Sequence, residues 1–485
     1  MRVIHAADLD LTGIREQFEL EPEFAPDVER DARDAPDRFA GERIDARGIP
    51  FVTIDPPGAM DLDQAVHLER RDDGYLLSYA IADVGAFVAP GSPLDEESRR
   101  RGQTIYLPYG TVPLHPRILS EHRASLVADA DRPAVLWEIE ADTAGRLRRA
   151  RVRRALVRVR ARLDYAQVQD AVNRDVELPA AIDALPSFGE ARAARALARG
   201  AIELQLPTQQ LVRADGGWRL RLEPRTRADA WNSECSLATG IAAAACMTAG
   251  GRGLLRTLPR PDDEALRRFR DAARAFGVQA PAHLDLDRSA PGELLAALPP
   301  RDLATMALNM AATKLLRGSG YAAFDAETGL PEAEDRWHAG VASEYAHVTA
   351  PIRRLADRFA AEACLELSGG EWFAVDAPGA LAGAGAGAAY DASGVPRIMA
   401  RSGQLANAVQ NACVNLAEAV ALEHSIGETF RAGMLRPGDG EHDAEVFVFD
   451  PPVIAQCRGE VPPGRPVDVR LVEAEPATRR VRFER

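Results

Sequence analysis

An α+β fold that ends in a small closed β-barrel is what this sequence predicts, and three observations lead there. Strand-type runs cluster at 50–90 and at 134–163. Helical patterns then occupy 228–248, 262–276, 300–317, 340–368 and 396–424. After Gly427 strand patterns return, separated by Pro and Gly. Segregation of this kind, rather than strict alternation, points to α+β.

Taken in order, residues 15–45 read as a short acidic helical segment with loops. FVTI at 51–54 and GYLLSYAIADVGAFV at 74–88 are the β-branched, apolar runs that strands need. Two more strands flank Thr143-Ala144-Gly145. Asp164, with Gln167 three residues on, has the capping-box pattern that opens a helix. Residues 378–390 form a Gly/Ala stretch that reads as a flexible surface insertion. The tail shows four strands, at 428–435, 444–450, 467–474 and 479–485, and suits a barrel of the OB kind.

Composition narrows the class. The 485 residues are 46% hydrophobic and 27% charged, an ordinary globular balance. No apolar run nears the ~18 residues that span a bilayer. The opening MRVIHAADLDLTG has no basic head followed by an apolar core, so a cytoplasmic protein without a membrane partner is expected. The five Cys are scattered with no CxxC pair, which argues against a disulfide framework or a Cys-based zinc site. No GxxxxGK[ST] or HExxH occurs, so neither a nucleotide cofactor nor a zincin site is expected. The net charge of −14 argues, taken alone, against nucleic acid.

The most informative segment is TIDPPGAMDLDQ, 53–64. Asp55, Asp61 and Asp63 follow an apolar strand, and Pro56, Pro57 and Gly58 favour a turn that lets the carboxylates converge. Converging like charges are tolerable only if cations or protons neutralise them. Oxygen ligands without His or Cys favour Mg²⁺ or Mn²⁺. Such a site would grip a phosphate and activate a water. The same residue types also serve ordinary turns. A second constellation, YAHVTAPIRRLAD at 345–357, stands before an Ala-rich helical stretch. Pro351 suits a first helical turn and Thr349 a cap. The Arg353–Arg354 pair suits a phosphate, or else a surface ion pair with Asp357.

Together these segments give the chain its resemblance to the ribonuclease II / ribonuclease R family, the RNB-domain 3′→5′ exoribonucleases. TIDPPGAMDLDQAV resembles the family's aspartate motif. The stretch from YAIADVGAFVAPG to LPYGTVPLHPRILS resembles its central signature. ARLDYAQVQ, ARGAIELQLP, RGLLRTLPRPD and YAHVTAPIRRLAD follow in the family's order. The resemblance implies an RNB-type catalytic domain with a deep channel for a single strand. It implies a magnesium site, with manganese as an alternative, held by Asp55, Asp61, Asp63 and Gln64. Asp63, Asp61 and Arg353 would carry catalysis. Tyr165, Arg353, Arg354, His347 and Tyr345 would contact single-stranded RNA, and Tyr165 would stack on bases.

The implied organisation is an N-terminal extension over 1–44, a catalytic domain over 45–426 with the insertion at about 370–394, and an OB-like barrel over 427–485. A monomer without the N-terminal cold-shock barrels is expected. Several positions depart from the family pattern. Gln64 stands where a fourth aspartate is usual, Ser233-Glu234 where two glutamates are usual, Ala350 where a serine is usual, and a non-aromatic residue near Leu204 where an aromatic is usual. These departures keep a second function in play, a catalytically weak or inactive RNA-binding relative.

One further segment bears on charge. Residues 146–162 hold nine Arg and no acid, and removing them from the net −14 leaves −23 on the rest. Along 158–162 the Arg alternate with small apolar residues, which on a strand would place them on one face. That row suits either a polyphosphate track or pairing with surface acids.

Overall fold

The computed structural model describes the chain apart from residues 1–2, 7–8, 207, 215–216, 224, 301, 377–380, 382–390, 439–441 and 463–464. The expected flexible stretch at 378–390 lies outside the described residues, Leu381 aside. At the centre is a ring of five strands: Phe51–Asp55, Gln64–Arg71, Gly74–Ala82, Asp131–Asp142 and Leu147–Asp164. The ring closes because the last strand is 18 residues long. Its first two-thirds pair antiparallel with Asp131–Asp142, and its end pairs parallel with Phe51–Asp55. Ala150, Val152, Ala155, Val157 and Val159 are buried along it, so its alternation fills two cores while the Arg face outward or into ion pairs.

The helix Arg227–Gly250 packs against this ring and against Leu355–Ser368. It is Ala-rich and buried almost all round, as a helix without a polar face must be. Small residues set its contacts. A Cβ on Gly240 would lie 2.1 Å from the Tyr345 ring and 2.6 Å from the Ala346 carbonyl. No helix among the described residues is long and apolar enough to cross a membrane. All five Cys are buried free thiols.

A buried ion network ties the N-terminal segment to this core. Arg43 reaches Asp37 at 2.6 Å and Asp83 at 2.9 Å. Arg154 reaches Asp83 at 2.7 Å and Glu362, on the helix Leu355–Ser368, at 2.6 Å. A side chain on Gly85 would meet the Glu362 carboxylate at 2.3 Å.

The expected helix at 340–368 is shorter than its pattern. It begins at Leu355 with Arg354 as its cap residue, so Thr349 and Pro351 do not open it. Long-range bonds hold 345–354 in an irregular path instead. Asp357 reaches back to accept the Ala350 N–H at 2.7 Å, and Gln64 donates to the Thr349 carbonyl. The C-terminal barrel is closed and has five strands rather than four. The strand that local patterning hides is Val453–Arg458, which lies between Pro452 and Gly459. It supplies the parallel pairing with Arg480–Glu484 that closes the barrel.

Candidate active site

The site forms at one end of the strand ring. Asp55 ends its strand in register with Asp164, and Asp164 caps the helix Tyr165–Asn173. The capping box is complete. The Gln167 N–H donates to Asp164 at 2.7 Å, and the Asp164 N–H donates to Gln167 at 3.0 Å. This junction sets Tyr165 beside Asp55. Gly58, at φ 84°, lets the chain turn, and Ser125 pins the loop by accepting from the Leu62 N–H at 3.0 Å and donating to the Met60 carbonyl at 2.7 Å. Leu62 is buried in the core between Asp61 and Asp63.

Asp63 is 3% exposed and is addressed from across the fold. Its Oδ1 accepts the Ile352 N–H at 2.8 Å, and its Oδ2 lies 3.3 Å from Arg353 Nε. Burial pushes this carboxyl well above the ordinary range, and Arg353 opposes the push. Asp55 is pushed up to about 6, by burial first and by Asp61 as well, while Arg353 and Arg162 oppose. Tyr106 donates to Asp61 Oδ2 at 3.2 Å. Burial raises the Tyr106 phenol strongly although the residue is 43% exposed.

The remaining candidates separate. Gln64 opens the strand Gln64–Arg71 and spends its amide N–H on the Thr349 carbonyl at 2.5 Å. Arg354 forms a two-pronged pair with Asp357, at 2.9 and 2.8 Å, so it faces away from the acidic group while Arg353 faces it. His347 Nδ1 and the Tyr321 hydroxyl are 2.6 Å apart. Burial, then Arg354 and Arg256, hold the imidazole well below its usual value, so it is neutral. Tyr345 is 7% exposed and packs edge-on to His338 and His347, a wall position rather than a stacking one. Tyr165 is half-buried and its hydroxyl accepts from Asn232 at 3.4 Å. Leu204 sits at the margin of a separate helical core with Phe269 and Leu308.

Glu234 lies apart from this group. Its Oε2 is 3.4 Å from Arg192 Nε, and neither atom has a hydrogen-bond partner. Burial first, with Glu203 adding, pushes Glu234 up to about 7. Sequence patterning missed Tyr106, Asn232 and the Ile352 N–H. Tyr106 is visible only as a member of a longer motif and Asn232 only within the helical pattern at 228–248, and a backbone donor leaves no sequence trace at all.

Most of the Arg-rich strand is neutralised by pairing. Arg146 meets Asp376, Arg148 Asp73, Arg149 Glu140, and Arg151 and Arg153 share Glu138. Arg154 meets Asp83 and Glu362, and Arg158 meets Asp131. The continuous guanidinium row allowed by the alternation is therefore reduced to Arg160 and Arg162.

Among the described residues no three His, Cys, Asp or Glu side chains converge as a ready-made metal shell. Even so, the donor set fits a hard cation. Asp55 Oδ2 and Asp63 Oδ2 are both buried without a hydrogen-bond donor, and Asp61 raises both carboxyls. A cation would relieve that repulsion, with water or phosphate oxygens filling the remaining positions.

The ring of strands and this acidic end define an RNB-type protein. Residues 43–363 match the RNB domain and residues 428–485 the RNase II-type exonuclease C-terminal S1 domain, so the chain belongs to the RNB family. It is 31% identical over 336 residues to Ribonuclease R of Escherichia coli (strain K12), covering 67% of this chain and 40% of that protein. It is 28% identical over 329 residues to Exosome complex exonuclease RRP44 of Homo sapiens, covering 65% and 33%. The chain thus spans well under half the length of these curated relatives.

The apo form of Mycoplasma genitalium RNase R superposes with a TM-score of 0.80 at 18% identity, over 98% of this chain and 77% of that one. Yeast Ssd1, a pseudonuclease, superposes with a TM-score of 0.63 at 15% identity, over 92% and 56%. At these identities the likeness speaks for the fold alone, and that fold is shared by a protein named a pseudonuclease.

Proposed function

We propose that this protein is a metal-dependent hydrolytic 3′→5′ exoribonuclease that degrades single-stranded RNA to nucleoside 5′-monophosphates. The observation that carries the reading is the grouping of Asp63 and the unpartnered Asp55 Oδ2 around Arg353, whose guanidinium stays partly accessible. Family membership and the similarity to Ribonuclease R support it.

In this reading Asp55 and Asp61 hold Mg²⁺ or Mn²⁺, with the Gln64 carbonyl and Asp63 beside them. Such an ion, when bound, would supply charge neutralisation at the scissile phosphate and lower the pKa of a water. Arg353 presents its guanidinium to the phosphate, and Asp63 orients it from one side. The Ile352 N–H holds the Asp63 carboxylate in place. Tyr165, beside Asp55, offers a ring to the terminal bases. Tyr106 holds the Asp61 carboxylate by its hydroxyl. Arg354 acts through Asp357 as a positioning residue for the irregular 345–354 path.

The test is hydrolysis of 5′-labelled single-stranded RNA with Mg²⁺ or Mn²⁺. Stepwise shortening from the 3′ end is the expected result. Tight RNA binding with no turnover in either ion would favour the second reading, an inactive RNA-binding relative. The neutral Gln64, tied to a backbone carbonyl, is the feature that favours it.

A further inference from the structure

Of the nine Arg at 146–162, seven are matched by carboxylates, in a chain whose net charge is −14. Arg160 and Arg162 stand apart. Both are exposed, and among the described residues neither has a carboxylate in ion-pairing range. Arg160 donates to the Arg47 carbonyl at 2.7 Å, and the polar contact of Arg162 is the Met60 thioether at 3.9 Å. Met60 belongs to the acidic loop, so Arg162 lies at the rim of the site. Both side chains reach the surface, two positions apart across the register shift in the pairing with Phe51–Asp55, ~6.6 Å along an extended strand and close to one step of an extended nucleotide backbone. Beyond Arg160 the surface opens into a polar hollow of about 530 Å³, lined by Asp45, Arg47, Gly48, Arg158 and Arg160. An acid-rich surface that leaves two adjacent guanidiniums uncovered has room for an anionic partner there.

We propose that Arg162 and Arg160 form a two-phosphate track that carries the backbone of single-stranded RNA from the Asp55 end of the strand ring outward to this hollow. The proposal rests on reading the acidic end as an RNA site. It adds a binding surface upstream of the chemistry, with a short register and no base preference, because guanidiniums read phosphate alone.

The test measures binding of a single strand of about twelve nucleotides to the full chain in EDTA, across a salt series. Each phosphate contact on a single strand adds ~0.7 to the slope of log affinity against log salt. Arg160→Gln/Arg162→Gln should therefore lower the slope by about 1.4 and weaken binding several-fold at low salt. Arg148→Gln, which removes an equally exposed but paired cation, should leave the slope unchanged. An unaltered slope in the double variant, or an equal drop in the Arg148 variant, would overturn the track while leaving the proposed function standing. A wild-type chain without affinity for the strand would overturn both.

Discussion

Arg353 Nε lies 3.3 Å from Asp63 Oδ2, and the opposite oxygen of the same carboxylate accepts the Ile352 N–H at 2.8 Å. One buried carboxylate is therefore held by two consecutive residues of a segment almost 300 positions away. The guanidinium keeps 43% of its side-chain surface accessible, so it is clamped on one side and free to meet a ligand on the other. Asp63→Asn keeps an oxygen for the Ile352 N–H and removes the charge. Hydrolysis should fall by roughly 10²–10³-fold or more, with the melting temperature unchanged or raised because a buried ionisable group is gone. Equal turnover in variant and wild type would remove Asp63 from the mechanism.

The neighbouring arginine should behave in the opposite way. Arg354 is bound to Asp357, which is fully buried and also accepts the Ala350 N–H. Arg354→Ala leaves that carboxylate unpaired and should cost about 3–5 kcal/mol of stability. Arg353→Lys should lower turnover with little change in melting. Parallel denaturation and kinetics on the two variants check the division. A kinetic loss without destabilisation at position 354 would contradict it.

Gln64→Asp restores a fourth carboxylate but gives up the donor to the Thr349 carbonyl. Without metal the variant should melt lower, by about 1 kcal/mol for the lost hydrogen bond and further from added repulsion. Calorimetric titration should show tighter Mn²⁺ binding than in wild type. Weaker binding would mean that position 64 does not face the cation.

Glu234 makes a pH-dependent contribution. Its folded-state value of about 7 lies above the ordinary 4.5, so the fold favours the protonated form. That stabilisation is fully present below the unfolded value and is lost as pH rises through 7. Glu234→Gln mimics the protonated form, so its melting temperature should gain on wild type between about pH 5 and pH 8. A gap that stays flat over that range would mean that the Arg192 pair outweighs desolvation.

Gly240→Ala tests the helix contact. Helix propensity alone would favour Ala by ~1 kcal/mol. The added carbon, however, would fall 2.1 Å from the Tyr345 ring, and neither the ring nor the Ala346 carbonyl has free space. A net loss of about 1–3 kcal/mol is expected in urea denaturation. A stabilised variant would show that the Tyr345 packing is looser than this geometry.

The legible parts of the chain were those whose signal is local. The apolar runs of 51–54 and 74–82, the Asp164–Gln167 box and the Ala-rich run of 228–248 appear as strands, cap and helix. Asp55, Asp61 and Asp63 and the Arg pair allowed a phosphate site by residue type, and the resemblance of their motifs to a known family singled it out. What misled was also local. The Thr349–Pro351 cap signal gave way to tertiary bonds from Gln64 and Asp357. The strand Val453–Arg458 was masked by the breakers beside it, although its barrel neighbours hold it firmly.

Periodicity was enough to set the fold class, and motifs that resemble a known family, in that family's order, pointed to the family and to the acidic and basic groups to watch, because both are properties of the chain itself. Which of those groups face one another was decided only when distant segments met. Arg353 and Arg354 are neighbours with nearly the same chemistry, yet one points at Asp63 and the other at Asp357. Among the described residues seven of the nine arginines at 146–162 found carboxylates and two did not. The physical reason is that the charge state and partner of a side chain depend on burial and on opposing charge. Both are set by residues far away in sequence, and local pattern carries no record of them.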